Sequence, residues 1–214
     1  MLPTWITLLR VALAFATVPL FGRGYTWAIA AVVLTVVVLW MDALDGWVAR
    51  RTGQTSDMGA LLDITGDRIV ENVFWIYFAV AGTVTFWVPL VVITRGFLTD
   101  TVRSLQFERG HTPFGPKTMM RTPWSRFLVA SRFMRGLYGG AKLASFCALG
   151  TMLVLTRGIE EGRFMLTPSA WRWIAGGSAF LVGLTVTLCV VRGIPVLWDG
   201  RELLLHRPLP RSRD

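Results

Sequence analysis

Charged residues are scarce in this sequence. They account for 16% of its 214 residues, whereas hydrophobic residues account for 53%; an average soluble domain carries about 25% charged residues. So few charges would not cover the surface of an ordinary soluble domain of this size. The shortage therefore excludes that class and predicts a single membrane domain over residues 1–214.

Cysteines and acidic residues are also few. The two cysteines, Cys147 and Cys189, lie inside apolar runs and outside any CxxC or Cys/His pattern. This is typical of packing residues and argues against a disulfide or a zinc site. Because 22 basic residues outnumber 13 acidic ones, the net charge is +9. No soluble domain is left to present that charge to nucleic acid, so we predict no nucleic-acid partner and expect membrane lipid and phosphorylated substrates instead.

Long apolar runs, in contrast, are abundant. A helix needs about 20 apolar residues to cross the hydrocarbon core of a bilayer. The first run lacks the basic start and the clear cleavage site of a signal peptide, so we expect it to be a helix. The sequence therefore predicts an all-α integral membrane protein with six transmembrane helices, at about residues 4–21, 25–47, 60–81, 87–107, 137–156 and 171–191.

Positive charge is distributed unevenly between the connecting loops. If residues 42–67 face the cytoplasm, the outer loops hold only four of the 22 Lys and Arg residues, namely Arg23, Arg157, Arg163 and Arg172. The positive-inside rule then predicts a multi-pass protein of the inner (cell) membrane with both termini in the cytoplasm. The active site would face the cytoplasm, at that end of the helix bundle.

Two basic stretches would lie on the cytoplasmic side, a loop at about residues 108–136 and a tail at residues 192–214. A loop of this length is usually functional or disordered. Its aromatic residues, among them Trp124 and Phe127, favour a segment that lies on anionic lipid. A simple polybasic loop and a lid that contacts substrate both remain open.

Four aspartates flank the connection between the second and third apolar runs. Asp42 and Asp45 close one run at i,i+3 spacing, and Asp63 and Asp67 open the next at i,i+4, so each pair shares one face of its helix. Two facing pairs would repel each other unless cations lay between them, and oxygen-only ligands suit magnesium or manganese. The spacing predicts a divalent-metal site.

This stretch resembles the signature of the CDP-alcohol phosphatidyltransferase family, D-x2-D-G-x2-A-R-x8-G-x3-D-x3-D. The fixed positions are Asp42, Asp45, Gly46, Ala49, Arg50, Gly59, Asp63 and Asp67. The resemblance implies a membrane enzyme, commonly a homodimer, that transfers a phosphatidyl group from CDP-diacylglycerol to an alcohol and releases CMP. The alternative is that these residues are ordinary charges and glycines between two helices.

The resemblance also implies roles within the signature. The four aspartates would hold two Mg²⁺ (or Mn²⁺) ions, and Asp67 would also be the base that deprotonates the acceptor hydroxyl. The nucleotide would lie against Gly46, Ala49, Arg50 and Gly59. The small residues would serve equally well in helix packing, and Arg50 as an anchor at the membrane interface.

The opening of the chain carries an unexpected charge. Arg10 lies two turns into the first apolar run, where an arginine either faces an interior partner or extends to the membrane interface. The stretch from Pro3 to Arg10 is similar to the opening P-N-x-x-T-x-x-R of family members that use glycerophosphate, with Thr4 in place of the Asn.

Three more basic residues, Arg95, Arg103 and Lys142, are candidates for binding the phosphate of an acceptor. Arg95 and Arg103 are eight residues apart, which places them on nearly the same helix face, and arginine binds phosphate through two parallel hydrogen bonds. Their segments resemble the S-R-E, L-R and G-K-x-K-T segments of the phosphatidylglycerophosphate synthase branch, although Gly96 and Ala144 replace its Glu and second Lys. That branch implies glycerol 3-phosphate as the acceptor.

Other readings stay open from the sequence alone. The acceptor could be inositol phosphate, phosphatidylglycerol or serine, and the three basic residues could be structural partners of the aspartates or of lipid phosphates. A cation-coupled transporter also carries intramembrane aspartates, but it would place them near the midplane rather than at the ends of spans.

Overall fold

The computed structural model describes the backbone of residues 2–52, 57–108 and 123–205, and the side chains of residues 5–41, 62–105 and 124–201. Within these ranges the chain is helical and contains no strand, which confirms the all-α class. A short 3-10 turn, Val18–Gly22, follows the first helix. The helices are α1 (Leu2–Thr17), α2 (Tyr25–Thr52), α3 (Asp57–Val80), α4 (Trp87–Glu108), α5 (Pro123–Ala130), α6 (Arg132–Glu160) and α7 (Pro168–Leu205).

Each of the six predicted spans coincides with a long helix, but the helices differ in apolar character. Among the described residues, three stretches are long and apolar enough to cross a membrane: Trp5–Gly22, Arg132–Glu160 and Pro168–Arg201. A further apolar helical stretch, Tyr25–Met41, is shorter. Charged residues interrupt α3 and α4, which therefore do not qualify by composition. Membrane character is confirmed, whereas the count of six spans and the orientation of the termini stay predictions.

The chain forms two compact units, each built from separate segments. Unit 1 contains Met1–Val91 and Gly140–Thr185, and unit 2 contains Val92–Gly139 and Val186–Asp214. Helices α4, α6 and α7 each contribute residues to both units.

Aromatic side chains fill the core of unit 1, where α1 packs on α2 and α3. Phe146 of α6 lies against three aromatic residues of α3, with ring centroids 4.8 Å from Trp75, 5.4 Å from Phe74 and 5.8 Å from Phe78. All four side chains are fully buried. Tilted and edge-on contacts of this kind add to the free energy gained by burial, so α3 and α6 are firmly joined.

A polar contact also joins α6 to α7 in unit 1. The hydroxyl groups of Ser145 and Thr185 lie 2.9 Å apart, and both residues are fully buried. Away from water a hydroxyl without a partner is costly, so this hydrogen bond favours one alignment of the two helices.

A small charged cluster closes the start of α2 in the same unit. The backbone N–H of Tyr25 donates to Oε1 of Glu161 at 2.6 Å, and Arg163 donates from Nε to Oε2 of that carboxylate at 2.7 Å. The Arg163 guanidinium also lies 4.8 Å from the centre of the Tyr25 ring. The hydrogen bond from Arg163, followed by the one from Tyr25, holds the pKa of Glu161 below its usual range.

Unit 2 has a small valine core and an additional helix, α5. Val102 of α4, Val129 of α5 and Val196 of α7 are buried together. Eight residues of helix rise about 12 Å, too little to cross a bilayer, so α5 is not a further span. The sequence did not reveal it as a separate helix because it lies inside the stretch interpreted as the basic loop.

Arg192 of α7 fixes the C-terminal end of α5. Its Nε donates to the carbonyl of Leu128 at 3.2 Å and its Nη2 to the carbonyl of Val129 at 3.4 Å. Its guanidinium lies 5.2 Å from the centre of the Tyr138 ring. The last carbonyls of a helix lack partners within the helix and carry partial negative charge, so a cation here stabilises the end of α5.

Candidate active site

The described part of the signature lies on α3, on a face that we call the acid stripe: Asp63, Asp67 and Glu71, each four residues from the next. Asp63 and Asp67 are 42% and 43% exposed in their side chains, whereas Glu71 is 3% exposed. Spacing of four residues places side chains on one face of a helix. The stripe thus runs from two accessible carboxylates to a buried one.

Arg10 of α1 contacts both accessible carboxylates. Its Nη2 lies 2.7 Å from Oδ1 of Asp67 and 3.6 Å from Oδ1 of Asp63, and the residue is only 1% exposed. The arginine therefore faces an interior partner and does not extend to the membrane interface. The shared contact confirms that Asp63 and Asp67 lie on one face of α3, and it brings them together in a fixed arrangement.

Gly66 allows this contact, because it lies between the two aspartates at the point where α1 crosses α3. A Cβ atom at this position would come within 2.5 Å of Cγ2 of Thr7 and 3.3 Å of Nη2 of Arg10. A larger residue here would therefore force the Thr7 side chain, or α1 with it, to move. The family signature does not fix this position, so no motif singled it out.

Glu71 makes its contacts with two basic residues. Its Oε2 lies 3.4 Å from Nη1 of Arg68 on the same helix and 3.6 Å from Nζ of Lys142 on α6. Lys142, predicted to bind the phosphate of an acceptor, is thereby placed next to the acid stripe within unit 1.

Arg95 and Arg103, the other two candidates for phosphate binding, lie on α4 within unit 2. Nη1 of Arg103 is 3.4 Å from Oδ1 of Asp100. Arg95 crosses Gly193 of α7, where a Cβ atom would come within 2.8 Å of its Cγ, and its Nε is buried without a hydrogen-bond partner in the described part of the chain. These contacts show how each side chain is packed. The role of Arg95 and Arg103 in binding the phosphate of an acceptor is still a prediction.

The remaining residues of the signature are placed only by their backbone. Asp42, Asp45, Gly46, Ala49 and Arg50 belong to α2 and Gly59 to α3, but their side chains lie outside the described residues. The predicted approach of the two aspartate pairs, and the contacts proposed for a nucleotide, are therefore still predictions.

The described carboxylates suit a divalent cation in their chemistry. Asp63 and Asp67 offer oxygen atoms one helix turn apart on an accessible face, and magnesium and manganese prefer oxygen ligands. Among the described side chains no three His, Cys, Asp or Glu residues gather closely enough to hold a metal. A complete site would require the aspartates of α2, as the sequence predicted.

Comparison with known proteins assigns the family. The family model described as CDP-alcohol phosphatidyltransferase matches residues 1–157, which include α1, the signature, the acid stripe and Lys142. The chain therefore belongs to the CDP-alcohol phosphatidyltransferase family. The resemblance inferred from eight residues of the signature is confirmed over most of the chain.

Individual relatives carry two different names. A protein of Mycobacterium tuberculosis named "Putative cardiolipin synthase" is 34% identical over 110 residues, which is 50% of this chain and 51% of the relative. Two proteins named CDP-diacylglycerol--glycerol-3-phosphate 3-phosphatidyltransferase are each 28% identical: that of Yersinia enterocolitica over 80% of this chain and 95% of the relative, and that of Yersinia pestis over 72% and 88%. The chain spans about half the length of the mycobacterial relatives that it matches.

Proposed function

We propose that this protein transfers the phosphatidyl group of CDP-diacylglycerol to glycerol 3-phosphate, giving phosphatidylglycerophosphate and CMP in phospholipid biosynthesis. One observation carries the proposal: Arg10 draws Asp63 and Asp67, the last two aspartates of the signature, together on an accessible face. The family match supports the reaction type, because it covers all three residues.

The acid stripe can supply the proton chemistry of this transfer. In our proposal Asp67 accepts the proton of the acceptor hydroxyl, while the acceptor oxygen forms a bond to the phosphorus that carries the diacylglycerol. The bond from that phosphorus to the bridging oxygen breaks, and CMP leaves with the electron pair. Arg10 holds Asp67 in place for this step. Two Mg²⁺ or Mn²⁺ ions held by Asp42, Asp45, Asp63 and Asp67 would neutralise the diphosphate and the leaving CMP.

Lys142 supports glycerol 3-phosphate as the acceptor. Its ammonium group lies beside the acid stripe, 3.6 Å from Glu71, where it can bind the phosphate of a phosphorylated alcohol through charge-assisted hydrogen bonds. The names of the Yersinia relatives, which this chain matches over most of their length, agree with this acceptor. Arg95 and Arg103 would contribute further positive charge, as the sequence predicted.

A second candidate is the same chemistry with phosphatidylglycerol as the acceptor, which would produce cardiolipin. It is supported by the name of the mycobacterial relatives, whose identity of 34% is higher but extends over only 110 residues. For either acceptor we propose a multi-pass enzyme of the inner membrane, acting as a homodimer with its site facing the cytoplasm and its nucleotide held by Gly46, Ala49, Arg50 and Gly59.

CMP release by the purified protein tests the proposal. Protein in detergent is given CDP-diacylglycerol and magnesium with glycerol 3-phosphate, inositol phosphate, serine or phosphatidylglycerol, and Asp67→Asn serves as the inactive control. We expect release with glycerol 3-phosphate that EDTA and Asp67→Asn both abolish. Release with phosphatidylglycerol alone would favour the second candidate, and the absence of release with every acceptor would refute phosphatidyl transfer.

A further inference from the structure

Glu71, the buried end of the acid stripe, has no place in the family signature. It is 3% exposed, and its Oε2 lies between Nη1 of Arg68 at 3.4 Å and Nζ of Lys142 at 3.6 Å. A carboxylate this deeply buried is stable as an anion only when cations stand beside it. Arg68 and Lys142 supply these cations, and Lys142 does so from a different helix.

The two basic partners differ in origin and in exposure. Arg68 is three residues before Glu71 on α3, so its contact is local to that helix, whereas Lys142 approaches from α6. The Lys142 side chain is 20% exposed, so its ammonium group can be reached from outside the core. An ammonium group is a compact positive charge with three hydrogen-bond donors, and phosphate oxygens are natural acceptors for it.

We infer that Glu71 is a positioning residue that holds Lys142 in place for the phosphate of the acceptor; this inference rests on the proposed function. Glu71 is one helix turn from Asp67, with Cβ atoms about 5–6 Å apart in such pairs. One small molecule that carries both a phosphate and a hydroxyl can therefore reach Lys142 and the carboxylate assigned as the base. The ligand class is a small alcohol with a phosphate dianion.

Glu71 acts on affinity more than on the bond-making step. A lysine side chain loses substantial rotamer freedom when it binds a ligand, and holding it in advance removes part of that cost. Without Glu71 the ammonium group would sample other positions and bind phosphate less often, while Asp67 and Arg10 would remain in contact.

Steady-state kinetics of Glu71→Gln test this inference. We expect the KM for glycerol 3-phosphate to rise about tenfold, the size of one charge-assisted contact, while kcat and the magnesium dependence stay within about twofold. Glu71→Asp keeps the charge and should recover part of the affinity. Glu160→Gln removes a glutamate from a 2.7 Å pair with Arg157 at the end of α6 and should leave KM unchanged.

A double-mutant cycle with Lys142→Gln shows whether Glu71 acts through the lysine. If it does, the double variant has the same KM as Lys142→Gln alone. A lower KM in Glu71→Gln would mean that the glutamate competes with the acceptor, and a loss of kcat at unchanged KM would mean that it acts on Asp67. Either result would overturn the inference.

Equilibrium binding separates a failure of this inference from a failure of the proposed function. Calorimetry with glycerol 3-phosphate on the wild type, Glu71→Gln and Glu71→Asp needs no turnover, and thermal unfolding in detergent shows whether each variant is folded. Weaker binding to folded Glu71→Gln supports the inference even if another reaction follows. Equal binding to the wild type and both variants refutes it while the reaction can still proceed, and a wild type that neither binds nor reacts refutes both.

Discussion

Two buried arginines, Arg10 in unit 1 and Arg192 in unit 2, are stabilised in different ways. Arg10 contacts two carboxylates at 2.7 and 3.6 Å. Arg192 donates to two backbone carbonyls and lies against the ring of Tyr138. Carboxylates neutralise the positive charge of a guanidinium. Carbonyl dipoles and an aromatic ring interact favourably with the guanidinium but do not neutralise its charge. Arg10 therefore orders ionised groups of the candidate site, and Arg192 orders a segment of backbone.

Arg10→Gln should have the largest effect, because it removes the cation that contacts Asp63 and Asp67 in unit 1. The aspartates would repel each other and leave their shared arrangement, so we expect CMP release to fall about a hundredfold, or about 2.7 kcal/mol in activation free energy. Both aspartates are more than a third exposed, so solvent screening limits the loss of folding free energy to about 1–2 kcal/mol. The measurement is the initial rate per folded protein. Arg10→Lys should recover part of the rate, and full activity in Arg10→Gln would contradict the role of Arg10.

Gly66→Ala tests the packing that brings Arg10 to the carboxylates without changing any charge. Its Cβ would meet Cγ2 of Thr7 at 2.5 Å, so the Thr7 side chain, or α1 with it, must shift. We expect a loss of about 1–3 kcal/mol in folding free energy and a reduced rate, both measured on the same preparation. Gly177→Ala is the matched control, because nothing lies within 4 Å of the Cβ that it adds on α7; there alanine should be neutral or stabilise by up to about 1 kcal/mol. Equal behaviour of the two variants would argue against the close approach of α1 and α3.

Arg192→Gln tests whether Arg192 stabilises the end of α5 in unit 2. The carbonyls of Leu128 and Val129 would lose their donors, so we expect faster amide hydrogen exchange throughout α5 and a cost of about 1–3 kcal/mol in folding free energy. Hydrogen-exchange mass spectrometry of the peptide that contains residues 123–131 gives the answer. The control is Arg201→Gln, which removes an exposed arginine lying 4.4 Å from the ring of Trp198. Unchanged exchange in α5 would show that Arg192 does not hold it.

Lowering the pH should loosen the Glu161 cluster, the smallest effect because the cluster is exposed. The pKa of Glu161 is depressed in the folded state, chiefly by Arg163. Its stabilising effect is therefore complete above the usual carboxyl pKa and is lost as the pH falls through the depressed value. We expect the Tyr25 amide to exchange faster only in that acidic range, after correction for the intrinsic rate, and Glu161→Gln to show the same loosening at neutral pH. An amide that stays protected in Glu161→Ala, which removes the acceptor oxygen, would contradict the contact.

The sequence was sufficient for the fold class and for the helices at the six apolar runs, although not for α5, because apolar runs of about 20 residues leave few alternatives to membrane helices. It also predicted that Asp63 and Asp67 share one face, because residues four apart are neighbours on the surface of a helix. Both predictions depend only on local geometry. The orientation in the membrane and the binding of metal ions depend on more than the local geometry of one helix, and both remain proposals.

Contacts between helices could not be predicted from local geometry. Arg10 was recognisable as a charge in an apolar run, but its partners depend on how α1 crosses α3, and Gly66 at that crossing lies outside the signature. Glu71 continued the spacing of the aspartates, and that was its only signal. Arg192 was assigned to the start of the basic tail, but it lies within α7 and is buried, and nothing in the sequence connects it with carbonyl groups 63 and 64 residues earlier.

The hydrogen bond between Ser145 and Thr185 has a consequence for Lys142, which precedes Ser145 by three residues on α6. A helix that slipped by one residue would move by about 1.5 Å along its axis and turn by about 100°. The lysine would then point away from Glu71, and the two hydroxyl groups would separate. The small, uncharged side chains of Ser145 and Thr185 thus set the axial position and rotation of α6. They thereby keep the Lys142 ammonium group, one helix turn away, beside Glu71.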